Sequence, residues 1–406
     1  MYLDWPESPA DLVPLPRCDG PKLKPFNFKG SQEIEFLEYL GEGLHAHVFK
    51  VKIELQIYAL KLFRFPYDED WLGPEAHTKP DDLEAMSAFY NYSEPFSCEC
   101  RAFGRLQEDG YEELAVKCLG YLLLDEEHER TMMNRFSHLK LEFNGNCEIP
   151  GLEDMRGRFL GRDGRHPPIR CIVKEFGQAE EPLRNKDMKR ILRDIIRLHQ
   201  LGIIDVDMAH RQLIGGKLGD FSTAVTVPHF MVTPELNPRL TPEWISAMEF
   251  ETFQFSINDF WDFDSTVQFW NFQHENPKDH ISVHAFPSGY GCRIKYDLRP
   301  TPSRERVYTF VDPRLYDWKT SVAASAEASG TGGVSEQSRG QQTKGRSCDR
   351  RKGAVTKTRR RLDAKPPRWY YDCDSKVTAK LKRSIMFSTS LEWEFKDGLI
   401  FPRRRH

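Results

Sequence analysis

The length, composition and charge of the chain exclude several classes of protein. It has 406 residues, of which 39% are apolar, which is enough to bury the core of one large domain or of two medium ones. Its net charge of −3 gives no overall field that would attract nucleic acid or a membrane. No apolar run approaches the roughly 18 residues of a membrane helix, and the N-terminus does not resemble a secretory signal. The nine scattered cysteines are therefore expected to be reduced thiols in the cytosol or nucleus.

The chain divides into regions that differ in proline content, hydrophobic periodicity and charge. Strand-like alternation gives way to helical periodicity near residue 177, and aromatic residues are dense after 231. The predicted regions are a proline-rich N-terminal arm at 1–30, a sheet-rich unit at 31–176 with a polar surface insertion at 126–168, a helical unit at 177–320, a disordered basic linker at 321–368, and a C-terminal segment at 369–406 with a helix near Ser375–Met386.

A glycine pair, Gly41 and Gly43, opens the first chemistry-bearing motif. A glycine turn lets backbone N–H groups approach phosphate oxygens without a Cβ in the way. Val48, downstream in the next strand, would then cover an adenine ring. Glycine turns are also common in ordinary hairpins, so the pair alone leaves both interpretations open.

A lysine within an apolar strand changes that balance. The run Tyr58-Ala59-Leu60-Lys61-Leu62-Phe63 buries Lys61, and a buried ammonium needs an anionic partner. The following helical stretch is broken at Pro95, and its second half offers Glu99 as the predicted partner. Glu84 and Glu94 are the rival candidates.

The next apolar strand ends in Val173-Lys174-Glu175-Phe176-Gly177. Taken by itself, this is an ordinary core strand leaving the sheet. A helix with apolar residues at helical spacing follows, from Met188 to His199.

Two acids flank a short hairpin after that helix. Gly215-Gly216 predicts the hairpin turn, with Asp207 before it and Asp220 after it. Two carboxylates and a lysine are what Mg-nucleotide chemistry needs: one acid would orient an attacking hydroxyl and the other would hold the metal. The alternative is that both acids are turn and cap residues.

The order of these motifs resembles that of protein kinases. Tyr58-Ala59-Leu60-Lys61 resembles the kinase lysine strand, and Asp220-Phe221-Ser222 resembles the metal-binding D-F-G. The resemblance implies an α+β, two-lobed fold, ATP and Mg as cofactors, Lys61 and Asp207 as catalytic residues, and Asp220 and Gln212 as metal ligands. It also implies that the backbone at Glu175 and Phe176 is the hinge that would contact the adenine.

Several residues depart from the kinase pattern. Asp205 stands where a histidine is usual, and Gln212 stands where an asparagine normally binds the second metal. Gln212 is one methylene longer, and Mg²⁺ demands near-ideal octahedral distances. Ser222 replaces a glycine, and no clear A-P-E motif follows. These departures favour a pseudokinase over an active enzyme.

Four stretches of the chain point to a second resemblance: Leu40–Val51, Tyr58–Lys61, Cys98–Leu106 and Asp220–His229. Together they resemble a fungal family, the second Fta subunit of the Sim-four kinetochore complex. The resemblance spans roughly residues 30–235 and implies a nuclear, centromere-associated role with protein partners.

The basic run at 344–368 supports a separate hypothesis. Two clusters, Arg350–Lys352 and Lys357–Arg361, suit an import receptor or a nucleic-acid backbone, although a solubilising linker has the same composition.

Three functions therefore remain open. The first is a degenerate, kinase-like nucleotide-binding scaffold in a nuclear assembly such as a kinetochore. The second is an active ATP- and Mg-dependent phosphotransferase. The third is a nucleic-acid-binding protein that acts through its basic segment. The nucleus is the expected location, with the cytoplasm as the alternative, and no membrane contact is expected.

Overall fold

The computed structural model describes most of the chain. The described residues are 1–28, 32–72, 82–146, 148, 153–177, 183–286, 299–300, 305–320, 359–373 and 391–404. They form a mixed α+β fold, which confirms the predicted fold class at that level. Among them, no helix is long and apolar enough to cross a membrane.

A five-stranded antiparallel sheet forms the first half of the fold. Its strand order is β1-β2-β3-β5-β4. Alternate residues of β2 are buried, which is the pattern expected of a sheet with one face against a core. The strands are β1 (Ile34–Glu42), β2 (Ala46–Ile53), β3 (Gln56–Phe63), β4 (Cys118–Leu124) and β5 (Ile169–Glu175).

Two consecutive helices, α1 (Leu83–Ser93) and α2 (Pro95–Asp109), follow β3 in the chain. Pro95 separates them, as predicted, since proline is favoured in the first turn of a helix. Glu94 caps α2 by accepting hydrogen bonds from the backbone N–H groups of the next turn. Almost every residue of α2 is buried, so this helix lies inside the fold.

The N-terminal arm lies against the sheet and α2. The backbone N–H of Phe26 donates to the carbonyl oxygen of Tyr121 at 2.7 Å, and Tyr121 N–H donates to Lys24 at 3.1 Å. The arm thereby covers the edge of β4. The polar region 126–168, predicted as a surface insertion, contains helices α3 (Glu126–Arg135) and α4 (Met155–Arg158). It also contributes buried apolar residues to the core, among them Met132, Phe136 and Phe143.

Two helices organise the second half. Helix α5 (Asn185–Gln200) matches the predicted helix, and α6 (Pro242–Gln273) carries the aromatic-rich sequence. Between them Gly215 and Gly216, with φ of 55° and 71°, form the predicted hairpin turn. The short strands here are β6 (Ile203–Ile204), β7 (Leu213–Ile214), β8 (Lys217–Leu218) and β9 (Val225–Thr226); β7 pairs with β8, and β6 with β9.

The C-terminal part returns to the fold as strands. A three-stranded sheet contains β10 (Arg299–Pro300), β11 (Glu305–Thr309) and β12 (Trp369–Cys373). A hairpin of β13 (Leu391–Lys396) and β14 (Leu399–Arg404) buries Trp393 against Phe230.

Part of the predicted linker is placed by the structure. Residues 359–368 lie against the folded part, so the prediction of disorder is wrong for them, because tyrosine rings and carboxylates bind their arginines. Residues 321–358, and the helix predicted near Ser375–Met386, lie outside the described residues.

Candidate functional site

A buried ion-pair cluster joins β3, α2 and the segment after β8. The ammonium of Lys61 lies 2.7 Å from Oε2 of Glu99 and 2.7 Å from Oδ1 of Asp220. Lys61 is 7% exposed and Glu99 is fully buried. The structure thus brings together the lysine and the acids that the sequence singled out.

The two rival candidates, Glu94 and Glu84, lie in other environments. Glu94 is fully buried but pairs with Arg170, at 2.7 Å. Glu84 is exposed on α1. The inner face of α2 directs Glu99 toward β3, where Val48 of β2 lies opposite Lys61 in the strand register.

A second lysine, which sequence reasoning missed, completes the cluster. Lys174 of β5 pairs with the other carboxylate oxygen of Glu99 and donates to the carbonyl oxygen of Gly219 at 2.6 Å. The same signal that identified Lys61, a lysine inside an apolar strand, could have found it. Glu175, predicted as an adenine-contacting residue, donates its backbone N–H to Lys117, which holds it in the β4–β5 ladder. The ring of Phe176 lies under the ammonium of Lys50.

The two lysines control the protonation of Asp220. Burial alone would raise the pKa of this carboxyl, but Lys61 and Lys174 hold it far below its usual range. The backbone N–H of Ser222 also donates to Asp220 Oδ1 at 2.9 Å. Correspondingly, burial would lower the pKa of Lys61, but Asp220 and Glu99 raise it above its usual value. These two pKa shifts keep Lys61 and Asp220 ionised near neutral pH.

The glycine loop closes over this cluster. Gly41 has a φ of 136°, which a glycine adopts readily. His45, at the tip of the loop, is 8% exposed, and its Nδ1 lies 3.3 Å from Oγ of Ser222. Burial lowers the pKa of His45 to about 4, so its imidazole is neutral at pH 7. His45 thus lies between the loop of Gly41 and Gly43 and the Asp220 segment, where the kinase resemblance would put nucleotide phosphates.

Asp207 and Gln212 bind each other instead of facing an empty site. Gln212 Nε2 donates to Asp207 Oδ2 at 2.8 Å, and Gln212 Oε1 accepts from the backbone N–H of Ala209. Arg211 also donates to Asp207 Oδ2, at 2.7 Å. Burial and the charge of Asp220 raise the pKa of Asp207, while Arg211 opposes that shift. The structure brings Asp207 within the electrostatic reach of Asp220.

A buried aspartate of α6, also missed from sequence, holds the backbone beside Asp207. Asp259 accepts hydrogen bonds from the N–H groups of Asp205 and Val206, at 2.9 and 2.8 Å, and from His199 at 2.7 Å. Val206 has a φ of 79°, which is uncommon for a β-branched residue and is sustained by these bonds. Asp205 is buried, and its pKa lies well above the usual value because of that burial and of Asp259 and Asp207.

The donor set does not fit a preformed Mg²⁺ site. Gln212 has both ends of its amide engaged, and Oδ1 of Asp220 accepts from Lys61 and Ser222. Throughout the described ranges, no group of three or more His, Cys, Asp or Glu side chains is arranged to hold a metal ion. A cavity of about 400 Å³ lies elsewhere, between residues 227–235 and 312–319.

Comparison with known proteins identifies a family. The model of the family described as "Kinetochore Sim4 complex subunit FTA2" matches residues 12–225, which is more than half of the chain. The match begins inside the N-terminal arm and contains Lys61, Glu99, Asp207 and Asp220. No curated protein matches the chain. With a match of that extent, the chain belongs to the family of kinetochore Sim4 complex subunit FTA2.

Proposed function

We propose that the chain is a non-catalytic, protein-assembling subunit of a nuclear kinetochore complex, built on a two-lobed protein-kinase-like fold. The proposed lobes are residues 31–176, with the five-stranded sheet and α2, and residues 177–320, with α5 and α6. Membership of the kinetochore family supports the assembly role. The order of Lys61, Glu99, Asp207 and Asp220 along the chain, and the contacts of Lys61 with Glu99 and Asp220, support kinase-like ancestry of the fold.

One observation carries the non-catalytic part of the proposal. The ammonium of Lys61 is shared by Glu99 and Asp220, each at 2.7 Å, beneath a glycine loop whose His45 contacts Ser222. A nucleotide phosphate would have to replace Asp220 at Lys61, and the imidazole of His45 would have to leave its buried position. The existing ion pairs lie in a low-dielectric interior, where separating them is costly. ATP is therefore expected to bind weakly or not at all.

Thermal unfolding in ATP, with and without Mg²⁺, tests this expectation. A ligand at a hundred times its Kd stabilises a fold by about 2.7 kcal/mol, which shifts Tm by several degrees. We expect a shift below about 1 °C at millimolar ATP in both conditions. A larger shift that disappears in Lys61→Met would mean that the site binds nucleotide and would overturn the closed-site proposal.

The second candidate is an active ATP- and Mg-dependent phosphotransferase. It is favoured by the contact of Lys61 with Asp220 and by the electrostatic interaction of Asp207 with Asp220. Lys61 would bind phosphate, Asp220 would hold Mg²⁺ and Asp207 would orient the acceptor. Phosphate transfer by the wild type that is lost in Asp207→Asn would support this candidate. Equal background in the two proteins would support the scaffold.

The assembly role has its own test in the cells from which the chain comes. A tagged wild-type chain is expected at centromeres, and Asp207→Asn is expected there at the same intensity. A wild-type chain spread through the nucleus or cytoplasm would contradict the kinetochore role, whatever the outcome with ATP.

A further inference from the structure

Residues 359–363 lie against the folded part of the chain, and their contacts suggest a role that the proposed function does not include. The guanidinium of Arg359 lies 3.9 Å from the ring centroid of Tyr111, and it pairs with Glu113. The guanidinium of Arg360 lies 4.0 Å from the ring centroid of Tyr316 and donates to the carbonyl oxygen of Asp317 at 3.2 Å. Two consecutive arginines are thus each held by one aromatic face and one oxygen acceptor.

Backbone contacts fix the same segment. The hydroxyl of Tyr111 donates to the carbonyl oxygen of Arg360 at 2.6 Å. Gln200 of α5 receives the N–H of Asp363 at 2.8 Å and donates to its carbonyl oxygen at 3.1 Å. Paired backbone bonds of this kind give a peptide a defined register, which charge attraction alone does not.

Parts of the receiving surface are held by contacts that do not involve the arginines. The hydroxyl of Tyr316 donates to Asp109 at 2.8 Å, and Arg105 covers its ring at 3.8 Å. The backbone N–H of Tyr111 donates to the carbonyl oxygen of Leu106 at 2.9 Å. The ring of Tyr316 is therefore already oriented for an incoming guanidinium, which lowers the entropy cost of docking.

We propose that this surface, defined by Tyr111, Glu113, Tyr316 and Gln200, docks Arg359 and Arg360 and thereby withholds the basic cluster to which they belong, Lys357–Arg361, from a nuclear import receptor. Arg359 and Arg360 belong to the cluster, while Lys357 and Thr358 lie outside the described residues. An extended Lys- and Arg-rich peptide is what such receptors read, and two of the four cations are engaged by the folded part. Docking and receptor binding are then mutually exclusive.

A protein receptor suits this segment better than a nucleic acid does. The carboxylates of Glu113 and Asp317 lie beside the docked arginines, and they would repel a phosphate backbone that approached the docked state. The contacts to the arginines come from aromatic rings, a carboxylate and carbonyl oxygens, which are the groups a peptide-binding protein offers.

Undocking variants in the full-length chain test the proposal. Tyr111→Phe, Glu113→Gln and Gln200→Ala, combined, remove the hydroxyl, the carboxylate and the backbone bonds but keep both rings and the basic cluster. Glu112→Gln is the matched control, since it removes a neighbouring exposed charge only. The first readout is the rate of tryptic cleavage after Arg359 and Arg360, followed by mass spectrometry. We expect cleavage about tenfold faster in the triple variant than in the wild type or the control.

The second readout is affinity for a purified import receptor that binds basic peptides. A synthetic peptide of residues 355–363 is expected to bind about tenfold tighter than the wild-type chain, and the triple variant is expected to match the peptide. Equal affinities of peptide and wild type, equal cleavage rates, or a peptide that the receptor does not bind would each overturn the proposal. An increase in affinity for duplex DNA but not for the receptor would also overturn it, since the competing partner would then be a nucleic acid.

Discussion

Glu99→Gln is the sharpest perturbation of the buried cluster, because it removes one negative charge and keeps the shape of the side chain. Glu99 is fully buried and pairs with two ammoniums, those of Lys61 and Lys174. Removing one partner of a buried ion pair costs about 3–5 kcal/mol, since the remaining charge stays buried without compensation. Asp220 still compensates Lys61, but Lys174 loses its only carboxylate contact among those the structure describes. We therefore expect Glu99→Gln to lower the free energy of unfolding by about 3–5 kcal/mol.

Urea denaturation at pH 7.5, followed by tryptophan fluorescence, measures this loss. The matched control is Glu38→Gln, which breaks the exposed pair with Lys50, where the two atoms are 3.5 Å apart. That control should cost below about 1 kcal/mol. Lys174→Met combined with Glu99→Gln should be less destabilised than Glu99→Gln alone, because the ammonium that loses its carboxylate is then removed while Lys61 keeps Asp220. A loss for Glu99→Gln no larger than that of the control would refute the cluster as a structural element.

Three further predictions concern acid titration, the arm and the C-terminal hairpin. Burial and neighbouring acids raise the pKa of Asp262 to about 8, so this carboxyl stays protonated in the folded state at a pH where it would ionise in the unfolded chain. The free energy of unfolding is therefore highest, with respect to this group, below about pH 4, and it falls as the pH rises toward 8. Asp262→Asn should therefore gain stability over the wild type by up to a few kcal/mol as the pH rises from 5 to 8; a difference that does not change with pH would contradict this. In Gly104→Ala, the new Cβ would lie 2.6 Å from the backbone of Lys22, so backbone amide hydrogen exchange in the N-terminal arm should accelerate. Gly43→Ala is the control: its new Cβ would have no atom within 4 Å, so exchange in the arm should not change. Equal exchange in both variants would show that the arm does not depend on this contact. Trp393→Ala should cost about 3–5 kcal/mol in urea denaturation, since the ring is 2% exposed, and an unchanged midpoint would show that the hairpin is dispensable.

The charged part of the site could be predicted from sequence because burial of charge is a local signal. A lysine in the apolar run of β3 required an acid, and the helix after Pro95 offered Glu99 on its inner face. The hairpin turn at Gly215-Gly216 was equally local, since positive φ at both positions favours glycine. These predictions needed only the spacing of residue types along a few turns or strands.

The contacts that close the site could not be predicted in that way. His45 is a loop residue whose burial depends on Ser222, which is distant in sequence. Asp259 is one of several acids in an aromatic helix, and its role follows from two backbone N–H groups before Asp207. The docking of residues 359–368 depends on Tyr111 and Tyr316, which come from different parts of the chain. The composition of such a segment predicts that it is soluble and lacks a core of its own, but it does not predict the surface on which the segment docks.

The ion pairs of Lys61 with Glu99 and Asp220 are not by themselves evidence that the chain uses ATP. In a buried cluster each charge stabilises the others, and loss of any one leaves an unpaired ion in the interior. Lys61, Glu99 and Asp220 hold β3, α2 and the segment after β8 together, as the two 2.7 Å contacts require. A protein that had lost phosphotransfer would still need the three residues for stability, whereas Gln212 and Ser222, which lie at metal-linked positions of the kinase pattern, carry no such constraint. Two of the departures, Gln212 and Ser222, fall at those positions, and neither they nor Asp205 belong to the ion-pair cluster, as expected if the cluster serves the fold.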